Sequence, residues 1–484
     1  MNNLESRKAP TALVVDLDGT LVRSDTLWEL FVRGLNTAPL PTLARLKFIF
    51  TPARFKCELA DLVSLDVASL PYDQAVLDLI RERREAGARV ILATAASERV
   101  AEAVAAHLEC FDRVLGSTPH LNAKGPAKLE RINAELGGDE FDYVGNSKDD
   151  VPIWLEASSI FLASASPGSE RLAESCGDAP GSSTVISHKG GSFAVLLSAL
   201  RWHQWAKNAL VFVPMLAAHR FFELPLWISL IVAFAMLCCL SSAIYVFNDL
   251  GDLESDRKHP TKASRPFASG AFPLHLGLAL FATLLVAAFV LAVFSGANVA
   301  LWAGVYVLTA TLYSVRLKRI IILDAIVLAA LYTIRLLVGV AATGIPLSFW
   351  LLGFSLFIFL GLAFLKRYSE LRTIDSVGAH SGRSYVAEDE QIIRELGLAS
   401  SFSGILMFAL YLNSQTVREL YLRPKILWLL VPLMLYWVGI LWVRASRGEL
   451  VGDPVTYALR RKESIVPLAV GAIIFLVAAF WRHP

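Results

Sequence analysis

The stretch Asn248–Gly270 reads NDLGDLESDRKHPTKASRPFASG and follows directly after a long apolar run that ends near Phe247. Acids come in quick succession in its first half: Asp249, Asp252, Glu254 and Asp256. If the helix continues, Asp249, Asp252 and Asp256 lie at i, i+3 and i+7, on one face. Unpaired carboxylates at a membrane boundary are costly, so this pattern indicates that a positive charge lies between them.

The cation that suits these acids is Mg²⁺ with a phosphate-rich ligand, because Mg²⁺ binds a few carboxylates together with substrate oxygens. Basic residues follow the acids in the manner of a phosphate clamp: Arg257, Lys258, Lys262 and Arg265. The alternative is an ordinary charged loop, but acid clusters at a membrane boundary are usually functional. The stretch therefore predicts a magnesium-dependent site for a phosphate-bearing substrate.

The overall composition describes a two-part chain. It has 484 residues, 55% of them hydrophobic, and a net charge of +2, which argues against a nucleic-acid binder. Its cysteines form no C-x-x-C pair and no Cys/His metal spacing, so neither a disulfide framework nor a zinc site is indicated. We predict a soluble α/β domain over 1–184, a linker and interfacial helix over 185–206, and a membrane domain over 207–484. A Gly-, Ser- and Pro-rich linker is expected at Gly177–Gly191.

In the N-terminal part, three apolar segments each end in a polar cluster. The segments are Thr11–Val15, Arg89–Ala93 and Phe141–Val144. Helical stretches separate them: Tyr72–Ala86, Glu98–His107 and Ala127–Leu136. Strand–helix alternation predicts a parallel, doubly wound sheet with ligands at the carboxyl ends of the strands. The polar clusters fall at those ends, so we expect them to meet in one site.

These clusters resemble the motifs of the haloacid-dehalogenase-like phosphatase superfamily over residues 11–165. DLDGT at 16–20 matches the first motif, Thr94 the second, Lys128 or Lys124 the third, and GNSKDD at 145–150 the fourth. The resemblance implies that Asp16 is a nucleophile that forms an aspartyl-phosphate and Asp18 a general acid and base. It also implies that Thr94 and Lys128 hold phosphoryl oxygens, and that Mg²⁺ is held by three acids: Asp16, Asp18 and Asp150.

Two features of this domain leave alternatives open. The fourth motif usually begins Gly-Asp, whereas position 146 is asparagine, so the domain is either an active phosphatase or a retained fold with weak catalysis and a regulatory or docking role. Residues Thr26–Leu70 are predicted to form a small helical cap. Within it, Leu43–Lys56 is either a packed cap helix or a segment on the membrane surface.

The C-terminal part contains nine candidate membrane spans, most of them long enough to cross a bilayer. They lie at about 207–219, 225–247, 273–294, 297–315, 320–341, 347–365, 396–413, 425–443 and 464–481. With a cytosolic N-terminus, the loops on the inner side carry most of the Lys and Arg residues, which supports this orientation. We therefore predict a multi-pass protein of the cell (inner) membrane with its N-terminal domain in the cytoplasm.

Three basic clusters accompany the acidic stretch. Arg201–Asn208 precedes the first span, Tyr313–Arg319 follows the fourth, and Lys366–Arg372 follows the sixth. The basic residues of each cluster either only orient the chain in the membrane or also bind phosphate. The charges of Asp324 and Arg335, inside the fifth span, should face a cavity or a partner. They are three turns apart, so they cannot touch within one straight helix.

Residues 200–480 resemble the UbiA superfamily of intramembrane prenyltransferases. The resemblance is carried by NDxxDxxxD with RP…G at 248–270 and by YSxxLKR at 313–319. Within the superfamily, RxxQWxKN at 201–208 and DxExDRxHPTKxxRP at 252–266 most resemble decaprenyl-phosphate phosphoribosyltransferases. Aromatic prenyltransferases of the superfamily generally carry a second Asp-x-x-x-Asp motif after the sixth span, where this chain has KRYSEL.

The resemblance implies transfer of 5-phosphoribose from phosphoribosyl pyrophosphate to a polyprenyl phosphate. Asp249, Asp252 and Asp256 would act at the catalytic centre and hold Mg²⁺ on the donor. Phosphate-binding candidates are Lys207, Asn208, Asn248, Lys262, Arg265, Lys318 and Lys366. The soluble domain would then dephosphorylate the polyprenyl-phosphoryl-5-phosphoribose. The prenyl chain length, the final sugar product and the oligomeric state stay open, with a homo-oligomer among the options.

Two rival functions remain. One is an aromatic prenyltransferase that uses prenyl diphosphate and carries a regulatory or inactive soluble domain. The other is a transporter, which should show internal repeats and discontinuous helices, and no clear repeat is visible in the sequence.

Overall fold

The computed structural model describes residues 12–176, 183–187, 192–346, 348–374, 385–450, 452–458 and 461–480. Thr11 and most of the predicted linker Gly177–Gly191 lie outside these ranges. The chain forms two compact units: residues 1–200 together with 245–281, and residues 201–244 together with 282–484. The first unit thus contains the acidic stretch as well as the N-terminal α/β part, whereas the sequence placed the boundary at 184. The domain limits drawn from the sequence stay a prediction.

The first unit is built on a parallel sheet of six strands. The strands are β1 Ala12–Val15, β2 Arg89–Ser97, β3 Arg113–Ser117, β4 Phe141–Gly145, β5 Ser159–Leu162 and β6 Ser183–Val185, in the order β3-β2-β1-β4-β5-β6. Val15 of β1 is in register with Leu92 of β2 and Val144 of β4. The carboxyl ends of β1 and β4 therefore lie side by side, as the sequence predicts. Strand β2 continues to Ser97, beyond the predicted end at Ala93, so Thr94 lies within this strand next to those two ends.

Alternating side chains bury both faces of this sheet. Leu13 and Val15 pack into one cluster with helices on that face, and Ala12 and Val14 pack into another. Apolar side chains on both faces explain why the strands read as continuous hydrophobic runs. The surrounding helices are α4 Gln74–Glu85, α5 Glu98–Leu108, α6 Pro126–Leu136, α7 Val151–Trp154 and α8 Pro167–Cys176. The predicted α/β class is confirmed.

A helical cap follows β1, also as predicted. It consists of α1 Thr26–Thr37, α2 Pro39–Ala44 and α3 Pro52–Leu62, with short 3-10 helices at Arg45–Phe48 and Val67–Ser69. Asp25 caps α1 by accepting hydrogen bonds from the Leu27 and Trp28 amides. Phe55 and Leu59 are buried, whereas Leu43, Ile49 and Phe50 are exposed. Both alternatives for Leu43–Lys56 therefore retain support, since one face is packed and another presents apolar side chains.

Among the residues that the structure describes after β6, all of the regular structure is helical. They are α9 Ser192–Leu200, α10 Val213–Ala217, α11 Leu224–Gly251, α12 Leu253–Lys258, α13 Leu274–Ser295, α14 Ala297–Val315, α15 Leu323–Thr343, α16 Phe349–Ile374, α17 Glu390–Leu412, α18 Gln415–Leu420, α19 Leu430–Ser446, α20 Pro454–Ala458 and α21 Lys462–Phe480. Additional 3-10 helices are Lys148–Asp150, Trp202–Phe212, Leu317–Arg319, Ala387–Asp389 and Pro424–Leu429.

Within the described ranges, eight helices are long and apolar enough to cross a membrane, one fewer than predicted. They are Leu224–Gly251, Leu274–Ser295, Ala297–Val315, Leu323–Thr343, Phe349–Arg372, Ala387–Leu412, Pro424–Ser446 and Lys462–Phe480. The predicted first span, 207–219, is wrong: it forms the end of the 3-10 helix Trp202–Phe212 and the five-residue α10. Pro214 near the start of α10 cannot donate a backbone hydrogen bond, and neither piece has the length to span a bilayer.

Small residues bring α16 and α17 together in the second unit. An added Cβ at Gly361 would lie 2.2 Å from the Ser401 hydroxyl, and one at Gly404 would lie 3.0 Å from the Ile358 amide nitrogen. Close backbone approach through small residues is the usual way in which membrane helices associate.

Candidate active sites

The polar clusters predicted at the strand ends meet around one lysine. Asp16 follows β1, and its Oδ1 accepts a hydrogen bond from Lys128 Nζ of α6 at 2.9 Å. The same ammonium donates to the Tyr143 hydroxyl at 3.0 Å and to Asp150 Oδ1 at 3.2 Å. All four side chains are buried. Because a buried ammonium lies between two buried carboxylates, the cluster is held together by charge as well as by hydrogen bonds.

Asp150 is held in one position by its neighbours. Its carboxylate accepts hydrogen bonds from the Tyr143 hydroxyl at 2.7 Å and from the amides of Asn146 and Ser147 at 3.3 and 3.1 Å. The Ser147 side chain completes a capping box at this turn. Tyr143 was missed by the sequence reasoning, although a tyrosine so close to the polar end of a buried strand is a usable signal.

Two further predicted residues line the same place. Asp18 Oδ1 accepts a hydrogen bond from the Thr26 amide at the start of α1, at 2.8 Å. Thr94 is fully buried in β2, and its hydroxyl oxygen accepts from the Ala96 amide at 3.0 Å. Asp18 is thus oriented by the first turn of the cap helix, and Thr94 by its own strand.

Burial sets the acidity of the two carboxyl groups in DLDGT. It raises the pKa of Asp16 to about 6, while the charge of Lys128 opposes the increase. It also raises the pKa of Asp18 to about 7, and the negative charge of Asp25 adds to this effect. Near neutral pH, Asp16 is therefore mostly ionised, and Asp18 is divided between its acid and base forms. These are the protonation states that a nucleophile and a general acid–base need.

The structure places the two candidate third-motif lysines differently. Lys128 contacts Asp16 directly, whereas Lys124 is half-exposed and pairs with Asp149 at 3.0 Å. Asn146, the unusual residue of the fourth motif, lies against the backbone of Gly19. A Cβ added at Gly19 would come within 2.2 Å of Asn146 Nδ2. The geometry therefore favours Lys128, and it shows that the first and fourth motifs touch.

All these side chains border a cavity of about 640 Å³. Its wall includes Asp16, Asp18, Thr94, Lys124, Lys128, Asn146, Asp149 and Asp150, and also residues 269–271 and 273–275. This volume falls within the range of small-molecule sites. Carboxylate oxygens are the ligands that Mg²⁺ prefers, but among the described residues Asp16, Asp18 and Asp150 do not form a metal-binding group, since Lys128 Nζ lies between Asp16 and Asp150. Their role as magnesium ligands stays a prediction.

The acidic stretch forms a second cluster, with a different shape from the predicted one. Helix α11 ends at Gly251 and α12 begins at Leu253, so the helix does not continue unbroken through the acids. Asp249 and Asp256 are buried, while Asp252 lies at the break and is exposed. The break is confined to Asp252, and the hydrogen bonds from the Asp252 amide to the Asn248 carbonyl and from the Asp256 amide to the Asp252 carbonyl continue across it. The common face of the three carboxylates stays a prediction.

One arginine bridges the two buried acids. Arg265 Nη1 lies 3.2 Å from Asp249 Oδ1 and 2.5 Å from Asp256 Oδ2, and Lys262 Nζ is 3.9 Å from Asp256. The Asn248 carbonyl accepts from the Asp252 amide at 2.9 Å, which keeps Asn248 in the same turn. In the described ranges, no group of three or more His, Cys, Asp or Glu side chains could hold a metal. Mg²⁺ is usually bound by one or two carboxylates together with phosphate oxygens of the substrate. The two buried carboxylates of Asp249 and Asp256 match that requirement.

Arg257 and Lys258 contact carboxylates of the N-terminal part of the chain. Arg257 donates two hydrogen bonds to the Glu29 carboxylate in the cap, at 2.5 and 3.2 Å, and both side chains are buried. Lys258 pairs with Asp66 at 2.7 Å on the surface. The buried pair gives Arg257 a structural role that the sequence did not indicate, because its partner lies 228 positions earlier in the chain. The phosphate-binding role of Lys258 stays a prediction.

In the second unit, two predicted phosphate-binding lysines meet at an unpredicted acid. Lys207 Nζ lies 2.6 Å and Lys366 Nζ 3.7 Å from Oδ2 of Asp453. Lys207 is buried and Lys366 is mostly buried. Sequence reasoning missed Asp453, although this acid lies just before the short helix α20, in the segment between the last two predicted spans. Two ammonium groups on one carboxylate oxygen form a compact, net-positive group, which suits an anionic ligand.

Other buried charges of this unit are paired. Asn208 accepts a hydrogen bond from Arg335 Nε at 2.9 Å, and Arg335 also donates to the Tyr306 hydroxyl at 3.1 Å. Asp324 and Arg335 contact residues of other helices and not each other, as expected for two positions three turns apart in one helix.

Arg367 joins Asp324 of α15 to the last turns of α16, which continues to Ile374 where the sequence predicted a loop after residue 365. It donates to Asp324 at 2.5 Å and to Glu370, the acid of KRYSEL, at 2.6 Å. Glu370 is therefore part of an ion pair. Lys318 is partly exposed and has no ion pair within the part of the chain that the structure describes.

Comparison with known proteins agrees with both clusters. Residues 209–460 match the UbiA prenyltransferase family, and residues 13–154 match the haloacid dehalogenase-like hydrolases. An uncharacterised protein, y4nM, of Sinorhizobium fredii is 35% identical over 98% of this chain and 91% of its own length. Nodulation protein NoeC of Azorhizobium caulinodans is 32% identical over 59% of this chain and 94% of its own.

A decaprenyl-phosphate phosphoribosyltransferase of Mycolicibacterium smegmatis is 31% identical over 58% of this chain and 92% of its own length. The match to the UbiA family covers the acidic cluster, Lys366 and Asp453, and seven of the eight candidate spans. The N-terminal match covers the strand-end cluster. The chain therefore belongs to the UbiA prenyltransferase family and carries an N-terminal haloacid-dehalogenase-like domain.

Proposed function

We propose that the membrane domain transfers 5-phosphoribose from phosphoribosyl pyrophosphate to a polyprenyl phosphate, and that the N-terminal domain removes the 5-phosphate from the product. The observation that carries the first step is the likeness to the decaprenyl-phosphate phosphoribosyltransferase along nearly its whole length. Support for the second step comes from the arrangement of Asp16, Asp18, Thr94 and Lys128 around one cavity.

In the transfer step, an oxygen of the acceptor phosphate attacks C1 of the ribose. The bond from C1 to the pyrophosphate oxygen breaks, and pyrophosphate leaves with the bonding electrons. Little covalent chemistry is asked of the protein, so position and charge must provide the rate. We assign Lys207, Lys366 and Arg265 to the phosphate groups, with Asn208, Asn248, Lys262 and Lys318 as further candidates.

Bound Mg²⁺ would neutralise the departing pyrophosphate, and Asp249 and Asp256 would hold it, with Asp252 as the third predicted ligand. Arg265 now bridges Asp249 and Asp256. We infer that this arginine shifts toward the donor phosphates when the site is filled, because a guanidinium binds phosphate with two parallel hydrogen bonds.

In the hydrolysis step, Asp16 attacks the phosphorus of the 5-phosphate. The bond from phosphorus to O5 breaks, and Asp18 gives a proton to the departing O5. Water then attacks the aspartyl-phosphate and gives a proton to Asp18, which releases orthophosphate and restores Asp16. Lys128 and Thr94 hold the phosphoryl oxygens. The pKa of about 7 for Asp18 supports both of its roles near neutral pH.

A label-transfer assay tests the first step. Purified full-length protein is given Mg²⁺, a prenyl phosphate and ribose-labelled phosphoribosyl pyrophosphate, and the organic phase is counted. We expect label in the lipid fraction, a loss of at least about 100-fold in Asp249→Asn, and no loss in Glu388→Gln, an exposed control. Lipid labelling that is unchanged in Asp249→Asn would contradict the assignment of that acid.

The second step is tested by orthophosphate release in the same reaction. Asp16→Asn should abolish the release and leave label in the lipid, now as the phosphorylated product. Asp139→Asn, an exposed acid of the same domain, serves as the control. Orthophosphate release that Asp16→Asn does not reduce would refute the phosphatase role.

A second candidate role for the N-terminal domain is a docking module for the acidic stretch. The pairs Arg257–Glu29 and Lys258–Asp66 favour it, as does Asn146 in place of the usual aspartate. In that case Arg257→Met would reduce lipid labelling, while Asp16→Asn would change nothing. The prenyl-diphosphate rival finds less support, since Glu370 is paired with Arg367. It predicts labelling of an aromatic acceptor from prenyl diphosphate.

A further inference from the structure

The phosphatase-like cavity is closed on one side by the segment 269–275, which follows the acidic stretch and leads into α13. Residues Ser269–Ala271 and Pro273–His275 border the cavity together with the four motifs. Gly270 has φ +74°, and a Cβ added there would lie 2.8 Å from the Cβ of Arg23 and 2.9 Å from its carbonyl oxygen. The segment therefore touches the loop that follows DLDGT, where a side chain would not fit.

One lysine in the cavity wall has no salt bridge among the described residues, although the charges of Asp18 and Asp25 in the same wall act on it. Of the three lining lysines, Lys124 and Lys128 each pair with carboxylates. Lys56, from helix α3 of the cap, donates one hydrogen bond to the Ala95 carbonyl at 2.6 Å and has no ion pair within the described ranges. An ammonium group has three donors, so two of them remain for a ligand in the cavity.

His275 stands in the wall contributed by the segment 269–275. It is exposed, and its ring lies 5.9 Å from that of Trp28 in α1, on the cap side of the cavity. An imidazole N–H can donate to a phosphate oxygen in either protonation state. Neither Lys56 nor His275 belongs to the four motifs that surround the reacting phosphate.

The cavity is larger than one phosphate group needs. At about 640 Å³ it has room for a phosphorylated pentose with a further group attached. Asp16, Lys128 and Thr94 define one end by their contacts. A ligand held there by its phosphate would extend toward side chains outside the four motifs, and a lysine without a salt bridge among them favours a second negative charge.

We propose that Lys56 and His275 form a second anion subsite, so that the cavity selects a sugar phosphate whose departing part carries another phosphate group. This inference rests on the proposed phosphatase activity and specifies its substrate class. The chemistry at phosphorus is unchanged, and the second anion orients the sugar so that O5 departs toward Asp18. A phosphodiester to a lipid and a free sugar bisphosphate both provide such an anion.

The test compares substrates with one and two anions. Full-length protein in detergent is given ribose 5-phosphate or ribose 1,5-bisphosphate, each labelled in the 5-phosphate, and kcat/KM for release is measured. We expect the wild type to prefer the bisphosphate by about 10- to 100-fold, the contribution of a charge-assisted hydrogen bond. Lys56→Met and His275→Ala should reduce that preference through KM and should affect release from ribose 5-phosphate much less, since that substrate has no second anion.

Two controls separate charge from folding. Lys56→Arg keeps the positive charge and should retain most of the preference. Lys47→Met removes an exposed lysine of the same cap that does not border the cavity, and it should change nothing. If Lys56→Met lowers kcat/KM equally for both substrates, or if the wild type has no preference, the second anion subsite is refuted.

Binding distinguishes this proposal from the phosphatase proposal. Calorimetric titration of Asp16→Asn with the two compounds needs no turnover. If the wild type releases no phosphate, but ribose 1,5-bisphosphate binds Asp16→Asn more tightly than ribose 5-phosphate and Lys56→Met removes the difference, the subsite stands and the phosphatase function fails. Equal affinities refute the subsite.

The source of the anion is decided by a third compound, a short-chain prenyl-phosphoryl-5-phosphoribose. Tighter binding than the bisphosphate identifies a lipid-linked substrate. Weaker binding identifies a free sugar bisphosphate.

Discussion

Replacing Arg257 with methionine should destabilise the first compact unit far more than the same change at the next residue. Arg257 in α12 donates two hydrogen bonds to Glu29 of the cap helix α1, at 2.5 and 3.2 Å, and a third to the Ala268 carbonyl at 2.9 Å. The side chains of Arg257 and Glu29 are only 6% and 4% exposed. Removing the arginine therefore leaves a carboxylate buried without its cation.

The expected magnitude follows from that burial. Breaking a buried pair by removing one partner costs about 3–5 kcal/mol. A Coulomb estimate of about 4 kcal/mol for two charges 4 Å apart at an effective dielectric of 20 agrees. In a domain of roughly 200 residues, each kcal/mol lowers Tm by about 2–4 °C, so a decrease of about 10 °C is expected.

Lys258 offers a matched control, because it lies on the same short helix and also pairs with a residue of the N-terminal part. Its partner is Asp66 at 2.7 Å, but the lysine side chain is 64% exposed. Exposed pairs contribute about 0–1 kcal/mol. Lys258→Met should therefore lower Tm by no more than about 3 °C.

The assay is thermal unfolding of the purified full-length protein in detergent at one scan rate, followed by tryptophan fluorescence. A double variant, Glu29→Met with Arg257→Met, removes both charges. It should be more stable than Arg257→Met alone, since replacing both members of a buried pair by apolar residues is often neutral. Equal decreases in Tm for Arg257→Met and Lys258→Met, or decreases that simply add in the double variant, would refute the reasoning.

Three further predictions concern single sites. Gly270→Ala should lower Tm by about 5 °C more than Gly137→Ala. Both glycines have positive φ, but of the two only Gly270 has neighbours within 4 Å of an added Cβ. Equal decreases in Tm would exclude a steric role for Gly270. Burial raises the pKa of Asp18 from 3.8 to about 7, so the folded state holds this proton more tightly and Mg²⁺-free protein should lose stability as pH rises through that range. Asp18→Asn should then raise Tm in chelator at pH 8 more than at pH 5.5, and an equal gain at both values would contradict the shift. Asp453→Asn should lower Tm because two buried ammonium groups lose their shared carboxylate, and pyrophosphate should raise Tm more in this variant than in the wild type. An identical response to pyrophosphate in both proteins would show that these lysines do not face the ligand.

The sheet and its site could be predicted because their signals are local. Apolar runs that end in Asp16, Thr94 and Gly145 indicate parallel strands, and parallel strands align their carboxyl ends. The acid spacing in the second cluster was also local, but it did not show that the helix is broken at Asp252 or that this side chain is exposed. A spacing argument assumes an unbroken helix, and the break between Gly251 and Leu253 removes that condition.

The membrane part shows where hydropathy is sufficient and where it is not. Long apolar runs predicted eight helices correctly, since a bilayer requires about 20 apolar residues in a row. The remaining predicted span, 207–219, is also apolar, but it is too short to cross a bilayer and contains Pro214. Length and backbone geometry, which a hydropathy count does not include, decide that case.

By itself, the sequence determined the two-part organisation of this protein, the parallel sheet, the membrane helices and the residue types of both clusters, because these depend on periodicity and on short motifs. Only the tertiary structure decided the partners of the charged residues. It assigned Arg257 to Glu29, joined Lys207 and Lys366 at Asp453, and placed Lys56 and His275 on one cavity. Such pairings join residues far apart in the chain, and their energy depends on burial and distance, which a linear pattern does not contain.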